Sequence, residues 1–359
     1  MTIDSSVRKI IKDFGYIRID DMMREALSKN TNSYYKSKSL IGVDGDFITS
    51  PEISQLFGET IALWAITKWQ ELGSPKEIAL IELGPGRGVL MRDLMRISEI
   101  VPEFNKAIEI FLYEISEGFI KEQKNTLTSI KQKINWINNI TKIPTLPCII
   151  ISNEFFDALP IRRYIKNSHE WFESVIVQDT ANYRLKFDQI KLDQNLLNQL
   201  NNTYQNAQDG AFIEESDESL EIMCKIADHL LKSKGACLTI DYGYNIKTSE
   251  RTSYQYNSTL QAIKNHQYHS IVNDLGEADI SAHVDFNALK KSAMQKGIKE
   301  CSISLQRDFL IDYGIIFRQK KLKSRASKND ARILDNQLHR LIDRENMGEI
   351  FKAMEYTVL

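Results

Sequence analysis

Apolar positions along the chain follow two rhythms. Up to residue 75 they recur at helical spacing, over residues 5–30 and 51–72, the second through Ile53, Leu56, Phe57, Ile61 and Trp64. Ser50-Pro51 supplies that second segment with a capping residue and a proline at the first helical position. From Glu77 the rhythm changes: "EIALIELG", "AIEIFLYEIS", "KINWINNI" and "PCIIISNEF" are short apolar runs separated by stretches of helix length. Such alternation predicts a parallel sheet covered on both faces. Residues 161–190 alternate in β fashion with no clear helix and read as an antiparallel insertion, followed by an Asn/Gln/Asp-rich stretch to residue 210. The main fold resumes with a helix through "SLEIMCKIADHLLKSKG", stopped by a left-handed Gly235, and the strand "ACLTIDYG". Residues 249–275 read as a loop rich in His and Tyr; a helix over 285–295, the strand "KECSISL", a helix over 328–345 and a strand near "FKAMEYTV" complete the chain. The expected fold is α/β: a helical extension over 1–75, a Rossmann-like domain over 76–160 and 211–359, and a substrate-facing insertion over 161–210.

Composition narrows the functions open to this fold. A chain of 359 residues, 42% hydrophobic, buries a sizeable core. Its 46 Lys+Arg stand against 48 Asp+Glu, so no whole-chain field draws it to nucleic acid or lipid, and such a role needs a local patch. Cys148, Cys224, Cys237 and Cys301 lie far apart without CxxC spacing, which predicts buried, reduced thiols and no zinc site. No apolar run approaches the ~20 residues that span a bilayer, so no membrane insertion is expected. The N-terminus carries Asp4, Asp13, Asp20 and Asp21 and resembles neither a secretion signal nor a transit peptide. The expectation is a cytoplasmic protein of bacterial type, with the mitochondrial matrix the setting only of a processed form.

The stretch "IELGPGRGVLMRDLMR", residues 81–96, fits strand, tight turn and helix, with Gly84, Pro85, Gly86 and Gly88 in the turn. Glycine permits positive φ and close approach of a ligand. Dinucleotide folds, methyltransferases and ligand-free αβ proteins share such turns, so the turn alone does not choose among them. The spacing ExGxGxG does more. Glu82 inside the turn disfavours a diphosphate, whereas it can accept bonds from a cationic amino group. S-adenosylmethionine carries such a group, a sulfonium and no phosphate. Glu114 ends the second strand, where an acid either accepts both ribose hydroxyls or merely opens a helix.

The fourth strand ends "SNEFFDALP", which places Asn153, Glu154, Phe155, Phe156 and Asp157 beside the donated methyl group. Asn-x-aromatic-aromatic loosely echoes the loop with which amino methyltransferases hold a planar nitrogen, but Glu154 and Phe155 stand where that loop has prolines. Carboxylates at 154 and 157 suit a cationic acceptor such as guanidinium. A sulfonium and a guanidinium at ~4 Å repel by ~4 kcal/mol at an effective dielectric of ~20, which two acids offset. Glu154 is expected to orient the acceptor and receive its proton, with Asp157 its second; alternatively Asp157 or Asn153 only caps a turn and the Phe pair is core.

"GDFITSPEISQLFGE" (45–59), "ELGPGRGVLMRDLMR" (82–96), "NEFFDALP" (153–160), "IDYGY" (240–244), "STLQA" (258–262) and "GEADISAHVDF" (276–286) resemble, in order and across almost the whole chain, the MidA-like family. That family belongs to the class I S-adenosylmethionine-dependent methyltransferases and includes an arginine methyltransferase of mitochondrial complex I assembly. The resemblance implies a Rossmann-like class I methyltransferase sheet with a helical N-terminal extension and an antiparallel β/helical insertion. It also implies S-adenosyl-L-methionine as cofactor and symmetric dimethylation of an arginine in a complex I subunit. Carried onto this chain, Glu82 to Gly88 and Glu114 match the cofactor motif, and Asn153 and Glu154 the acceptor loop. Thr49, Ser50, Pro51 and Glu52 match a family block expected to line the cofactor pocket. Ser258 stands where glycine is expected, so the local turn there is expected to differ.

Other residues carry two readings. Asp241 and Tyr242 end another strand near the pocket, and the acid either binds substrate or caps. His283 is a candidate at the substrate side, with proton transfer or a structural place both open; Asp285 either assists it or caps the following helix. His266 and His269 lack further ligands at metal spacing, so no metal is expected. Trp64 and Trp69 are read as packing. A protein substrate and no nucleic acid are expected, with monomer and homodimer both open. A methyltransferase acting on a glutamine side chain or small amine, and a silent assembly factor that keeps the fold, remain alternatives.

Overall fold

The computed structural model describes residues 2–29, 49–264, 267–273 and 275–359. The first predicted helix is two. Ile3–Phe14 ends at Gly15, whose φ of 86° lets its N–H reach back to Ile11 O, and after the short strand β1 (Ile17–Arg18) a second helix, Ile19–Arg24, runs into a π-helical turn, Glu25–Lys29. Likewise the 51–72 segment breaks at Ser54 into Ser50–Ile53 and Gln55–Glu71. Ser54 is extended, and its hydroxyl accepts the Leu56 N–H, a helix cap in mid-pattern.

The predicted strands form as β2 (Ile78–Leu83), β3 (Ile108–Tyr113), β4 (Ile134–Ile137) and β5 (Cys148–Asn153). The insertion supplies β6 (Arg162–Asn167), β7 (Glu170–Gln178) and β8 (Leu185–Lys191). The polar stretch after it is not featureless: Asp193 caps a helix, Gln194–Thr203, and β9 (Phe212–Glu215) returns to pair with β6. Then come β10 (Gly235–Tyr244), β11 (Gln261–Lys264), β12 (Gln267–His269), β13 (Asp279–Ser281), β14 (Val284–Asp285), β15 (Ser302–Leu305) and β16 (Phe351–Val358). The segment expected as a loop thus holds most of a small sheet, β12-β11-β13. Two further helices, Gln306–Asp312 and Ile315–Lys323, precede the predicted one, Lys328–Ile342.

The central sheet runs β15-β16-β10-β5-β2-β3-β4, parallel from β10 to β4, with β16 antiparallel to β10 and β15. β2 and β5 are buried along their whole length, which is why their sequences are continuous apolar runs. On one face Leu56, Trp64, Leu90 and Leu94 pack with Phe309 and Leu341; on the other Ile222, Met223 and Ile226 pack with Phe286 and Leu289. From β2 the chain moves outward to β3 and β4, then crosses back to β5. The crevice between the carboxyl ends of β2 and β5 is therefore the switch point where open αβ sheets bind ligands.

A second body covers that rim. β1, β6, β7, β8 and β9 make a separate antiparallel sheet, and Ile3, Val7, Ile11 and Met22 pack with Ile161, Ile176, Leu275, Ile280 and Ala282 in a core of their own. The N-terminal extension, insertion and small sheet thus share one apolar cluster.

Gly235 does not stop the preceding helix. Lys234 (φ 64°) ends the helix, and Gly235, itself at φ 144°, opens β10, where a Cβ would lie 2.0 Å from the Cys148 carbonyl oxygen. Cys148, Cys237 and Cys301 are buried and free; Cys224 is only half-buried, beside the Ser292 hydroxyl. Trp64 and Trp69 are buried and donate to Glu355 and the Pro75 carbonyl. Among the described residues no helix is long and apolar enough to cross a membrane.

Candidate active site

β2 delivers the glycine turn to the switch point. Gly84, Gly86 and Gly88 have φ of 64°, 51° and 80°, and a Cβ at Gly84 would lie 2.8 Å from Phe155 Cδ2. Helix Val89–Ser98 follows directly. Glu82, at the end of β2, is buried, and its Oε2 has no hydrogen-bond partner among the described residues. Burial, reinforced by the Glu114 carboxylate, pushes Glu82 up to about 8.

Glu114 stands just beyond β3. Its Oε1 accepts from the N–H groups of Ile115 and Ser116, both at 2.8 Å, and its Oε2 from Gln123 at 3.1 Å. Gln123 also donates to Gly86 O at 2.7 Å, tying the acid to the glycine turn. Burial raises Glu114 above the ordinary carboxylate range against these bonds, which lower it. Because Oε2 accepts only one of them, it keeps a lone pair for a hydroxyl.

The block Thr49 to Glu52 faces the turn. Thr49, Pro51 and Glu52 enclose, with Glu82, Gly84, Pro85, Gly86, Asn153 and Glu154, a polar hole of about 60 Å³. Ser50 N–H donates to Glu154 Oε1 at 2.9 Å, while its own hydroxyl oxygen is buried without a partner. The preceding residues 45–48 of the family block lie outside the described residues. Beside this hole a cavity of about 490 Å³ is walled by Gly84, Gly86, Glu114, Ile115, Phe119, Glu154 and Phe155, and across from them by Met23, Arg24 and Leu27.

At the end of β5 the chain turns sharply. Glu154 has a φ of 49°, a left-handed conformation that costs a non-glycine residue energy, and its N–H donates to Ile240 O at 2.9 Å. Its Oε1 takes bonds from Ser50 N–H and from Asn153 Nδ2 at 3.0 Å, and burial pushes the acid up to about 7. Among the described residues neither Asn153 Oδ1 nor Asp157 Oδ1 has a partner. Asp157 accepts a short hydrogen bond from Tyr242 Oη on Oδ2 and is likewise pushed up to about 7, chiefly by burial.

Several expected substrate residues have other duties. Asp241 is fully buried; its Oδ2 accepts the N–H groups of Phe156 (3.0 Å) and Asp157 (3.2 Å), its Oδ1 that of Tyr242 (2.9 Å). It brackets the acceptor loop from below and turns no free oxygen to a substrate. Burial, with Asp157 and Glu154 close by, lifts it well above the carboxylate range. Phe156 is buried in the core between sheet and helices, so only Phe155 faces the cavity, edge-on to Tyr113. Tyr242 spends its hydroxyl on Asp157 and lays its ring against His283 and Phe351. His283 lies beyond that ring, lining a different cavity of about 530 Å³ with Tyr244, Thr259 and Tyr268, and burial lowers its pKa. Asp285 caps the helix Phe286–Lys296 through Ala288 N–H and pairs with the buried Arg251.

Ser258 makes a bond glycine cannot: its hydroxyl donates to Glu214 at 2.8 Å. His269 lies in β12, His266 lies outside the described residues, and among the described residues no cluster of His, Cys, Asp and Glu is spaced to hold a metal. Sequence reasoning missed Met23, Arg24 and Leu27 as a cavity wall, and Gln123 as a bridge. Helical periodicity marks the first group as buried without saying against what.

The oxygens of Glu82, Asn153, Ser50 and Asp157 that no described residue meets all belong to the glycine turn, the strand ends and the block facing them. Buried oxygens of this kind cost free energy unless a donor meets them, and a rim of acids calls for a cationic one. The sulfonium and ammonium of S-adenosylmethionine fit; a diphosphate does not.

Comparison with known proteins agrees. The Methyltransf_28 profile, that of S-adenosyl-L-methionine-dependent methyltransferases, matches residues 60–303. The "Protein arginine methyltransferase NDUFAF7, mitochondrial" of Danio rerio is 32% identical over 94% of this chain and 82% of its own length, and that of Xenopus tropicalis 31% identical over 95% and 82%. A crystal structure of a Burkholderia thailandensis protein bound to S-adenosyl-homocysteine superposes with a TM-score of 0.86 at 23% identity, covering 99% of this chain and 92% of that one. The chain belongs to this family of S-adenosyl-L-methionine-dependent methyltransferases.

Proposed function

We propose that the chain transfers a methyl group from S-adenosyl-L-methionine to an arginine side chain of a protein. The observation that carries this reading is the acceptor corner. Glu154, held by Ser50 and Asn153, lines both the hole under the glycine turn and the cavity beside it, and Asp157, three residues on and behind that wall, keeps one oxygen without a partner among the described residues. The names of the relatives above, arginine methyltransferases, support the choice of acceptor.

In this reading Glu82 and Asn153 take the ammonium of the donor and Glu114 its ribose hydroxyls, while Thr49 to Glu52 close the hole behind them. S-adenosyl-L-methionine supplies an electrophilic methyl on sulfonium. Glu154 and Asp157 offset the repulsion between that cation and the incoming guanidinium and hold the attacking nitrogen in line. As the N–C bond forms and the C–S pair returns to sulfur, the nitrogen's proton passes to one of the two carboxylates. Their pKa near 7 lets them be ionised before the step and release the proton after it. Asp241 and Tyr242 act behind them as positioning residues.

A subunit of respiratory complex I under assembly is the substrate that the family resemblance implies. A setting that keeps thiols reduced, a bacterial-type cytoplasm or, for a processed form, the mitochondrial matrix, is in keeping with the free cysteines Cys148, Cys237 and Cys301. The purified chain, its cofactor and a recombinant complex I core subunit are incubated and the digest is read by mass spectrometry. Methylation on arginine is expected; methylation on glutamine or a small amine instead would overturn the acceptor. Failure to bind the cofactor in calorimetry would leave only a silent assembly factor.

A further inference from the structure

The charge balance of the whole chain hides a local excess. Residues 315–342 hold eight Lys and Arg against two Asp, in a protein whose formal net charge is −2. They form two helices, Ile315–Lys323 and Lys328–Ile342, that pack on each other and are joined by a short turn. Arg318 is spent on Glu59 and Lys323 on Asp335. Lys320, Lys321, Arg325, Lys328 and Arg332, all exposed and set about the turn, have no acidic side chain in ion-pair range among the described residues.

An apolar element accompanies these charges. Phe317 is 75% exposed and, three and four residues before Lys320 and Lys321, shares their helix face. Ile333, 46% exposed, follows Arg332 on the second helix. Exposed lysines alone read as a solvated face. Lysines flanking an aromatic and an aliphatic side chain that the fold leaves in water are the makings of a surface that enters the headgroup layer of an anionic membrane, charge against phosphate and Phe317 among the acyl chains. Base stacking makes use of Phe317 but not of Ile333, and an acidic protein face makes use of neither.

We propose that this helical hairpin docks the enzyme peripherally on an anionic lipid surface. The hairpin also abuts the cofactor site: Gln337 accepts the Ser54 hydroxyl at 2.8 Å, and Leu334 and Gln337 line a cavity with Pro51, Glu52 and Arg87, the outer side of the wall around the glycine turn. Docking there brings the site close to membrane-bound proteins.

Flotation of the full chain with phosphatidylcholine vesicles, with and without phosphatidylglycerol, tests this. Binding is expected only to the anionic vesicles, to weaken with salt, and to fall at least about tenfold in Lys320→Glu/Lys321→Glu. Phe317→Ser is expected to weaken binding several-fold at high salt, where charge contributes least. Unchanged affinity for S-adenosyl-homocysteine certifies that each variant is folded. Equal partition to both vesicle types, or wild-type binding by the charge-reversed variant, overturns the proposal. It also fails if the wild type ignores vesicles while the same variant slows methylation of an intact protein substrate but not of a short peptide, because the hairpin is then a protein-docking face.

Discussion

Glu59, in the helix Gln55–Glu71, and Glu82, in β2, are the same residue in nearly the same seclusion, 1% and 3% exposed. Around Glu59 the fold is complete: Arg96 donates at 2.8 Å and Arg318 through two nitrogens, stapling the helix Gln55–Glu71 to Val89–Ser98 and to the C-terminal helices. Around Glu82 it is not; one oxygen has no partner among the described residues, and the charge that acts on it is another acid, Glu114. Burial of a carboxylate thus says little about function by itself. What separates a structural acid from a binding one is whether the chain has spent its oxygens, and by that measure Asp241 belongs with Glu59, and Asp157 with Glu82.

The contrast can be broken at either end. The largest effect is expected at the acceptor corner: Glu154→Gln keeps the shape and loses the charge, so kcat should drop by about 10²–10⁴ with the affinity for S-adenosyl-homocysteine unchanged. Full turnover by this variant, measured with a methylatable arginine peptide, would remove Glu154 from the reaction. Next is Glu59→Ala, which takes the partner from Arg318 and one of two from Arg96, both of which reach solvent, and should cost about 1–3 kcal/mol in chemical denaturation while leaving cofactor affinity alone. The reverse pattern is expected of Glu82→Gln. Calorimetry should show S-adenosyl-L-methionine binding weakened by about 10–100-fold, from loss of a charge-assisted bond, while the melting temperature of the free protein stays level or rises. If Glu82→Gln instead destabilises the free protein as Glu59→Ala does, the distinction between spent and unspent acids fails.

The smallest effect is on pH. Glu82, Glu154 and Asp157 have pKa values raised in the folded state, to about 8, 7 and 7, so between the ordinary carboxylate range and those values the folded protein holds more protons than the unfolded one. Their contribution to stability is therefore largest at the acid end of that window and declines as pH rises through 7 and 8. Thermal melts of the free protein should reflect this decline over and above the background of other groups. The stabilisation by the cationic cofactor should grow over the same interval, as should turnover. A cofactor-induced shift that is flat with pH would mean that these acids do not face its charge.

Most of the sheet was legible because β2 and β5 are buried on both faces and so appear as unbroken apolar runs. The turn was legible because only glycine adopts φ of 51–80° cheaply at three alternate positions. What periodicity could not give was local punctuation. Ser54 caps a helix inside an apolar pattern that continues past it, and Lys234 rather than Gly235 ends the helix before β10, the glycine being needed one residue later against the Cys148 carbonyl. Nor could it tell Phe155 from Phe156: adjacent side chains diverge, and which one faces the cavity depends on the bracket that Asp241 makes far along the chain. Asp241 itself was drawn toward substrate by its strand-end position, a signal shared by acids that bind ligands and acids that hold loops.

The apolar cluster shared by the first helix and the small sheet has a consequence for biosynthesis. Ile3, Val7 and Ile11 are synthesised long before Leu275, Ile280 and Ala282, the partners that help to bury them. Until those arrive the leading helix has an uncovered oily flank, a liability that a chaperone must shield or that must be tolerated for seconds at ordinary elongation rates. The same closing event sets Met23 and Leu27 in the wall of the cavity beside the glycine turn, so the chamber for the donor is finished only after Ala282 has been made. A nascent chain released too early should be sticky and unable to hold the cofactor, even with β2 to β5 already synthesised.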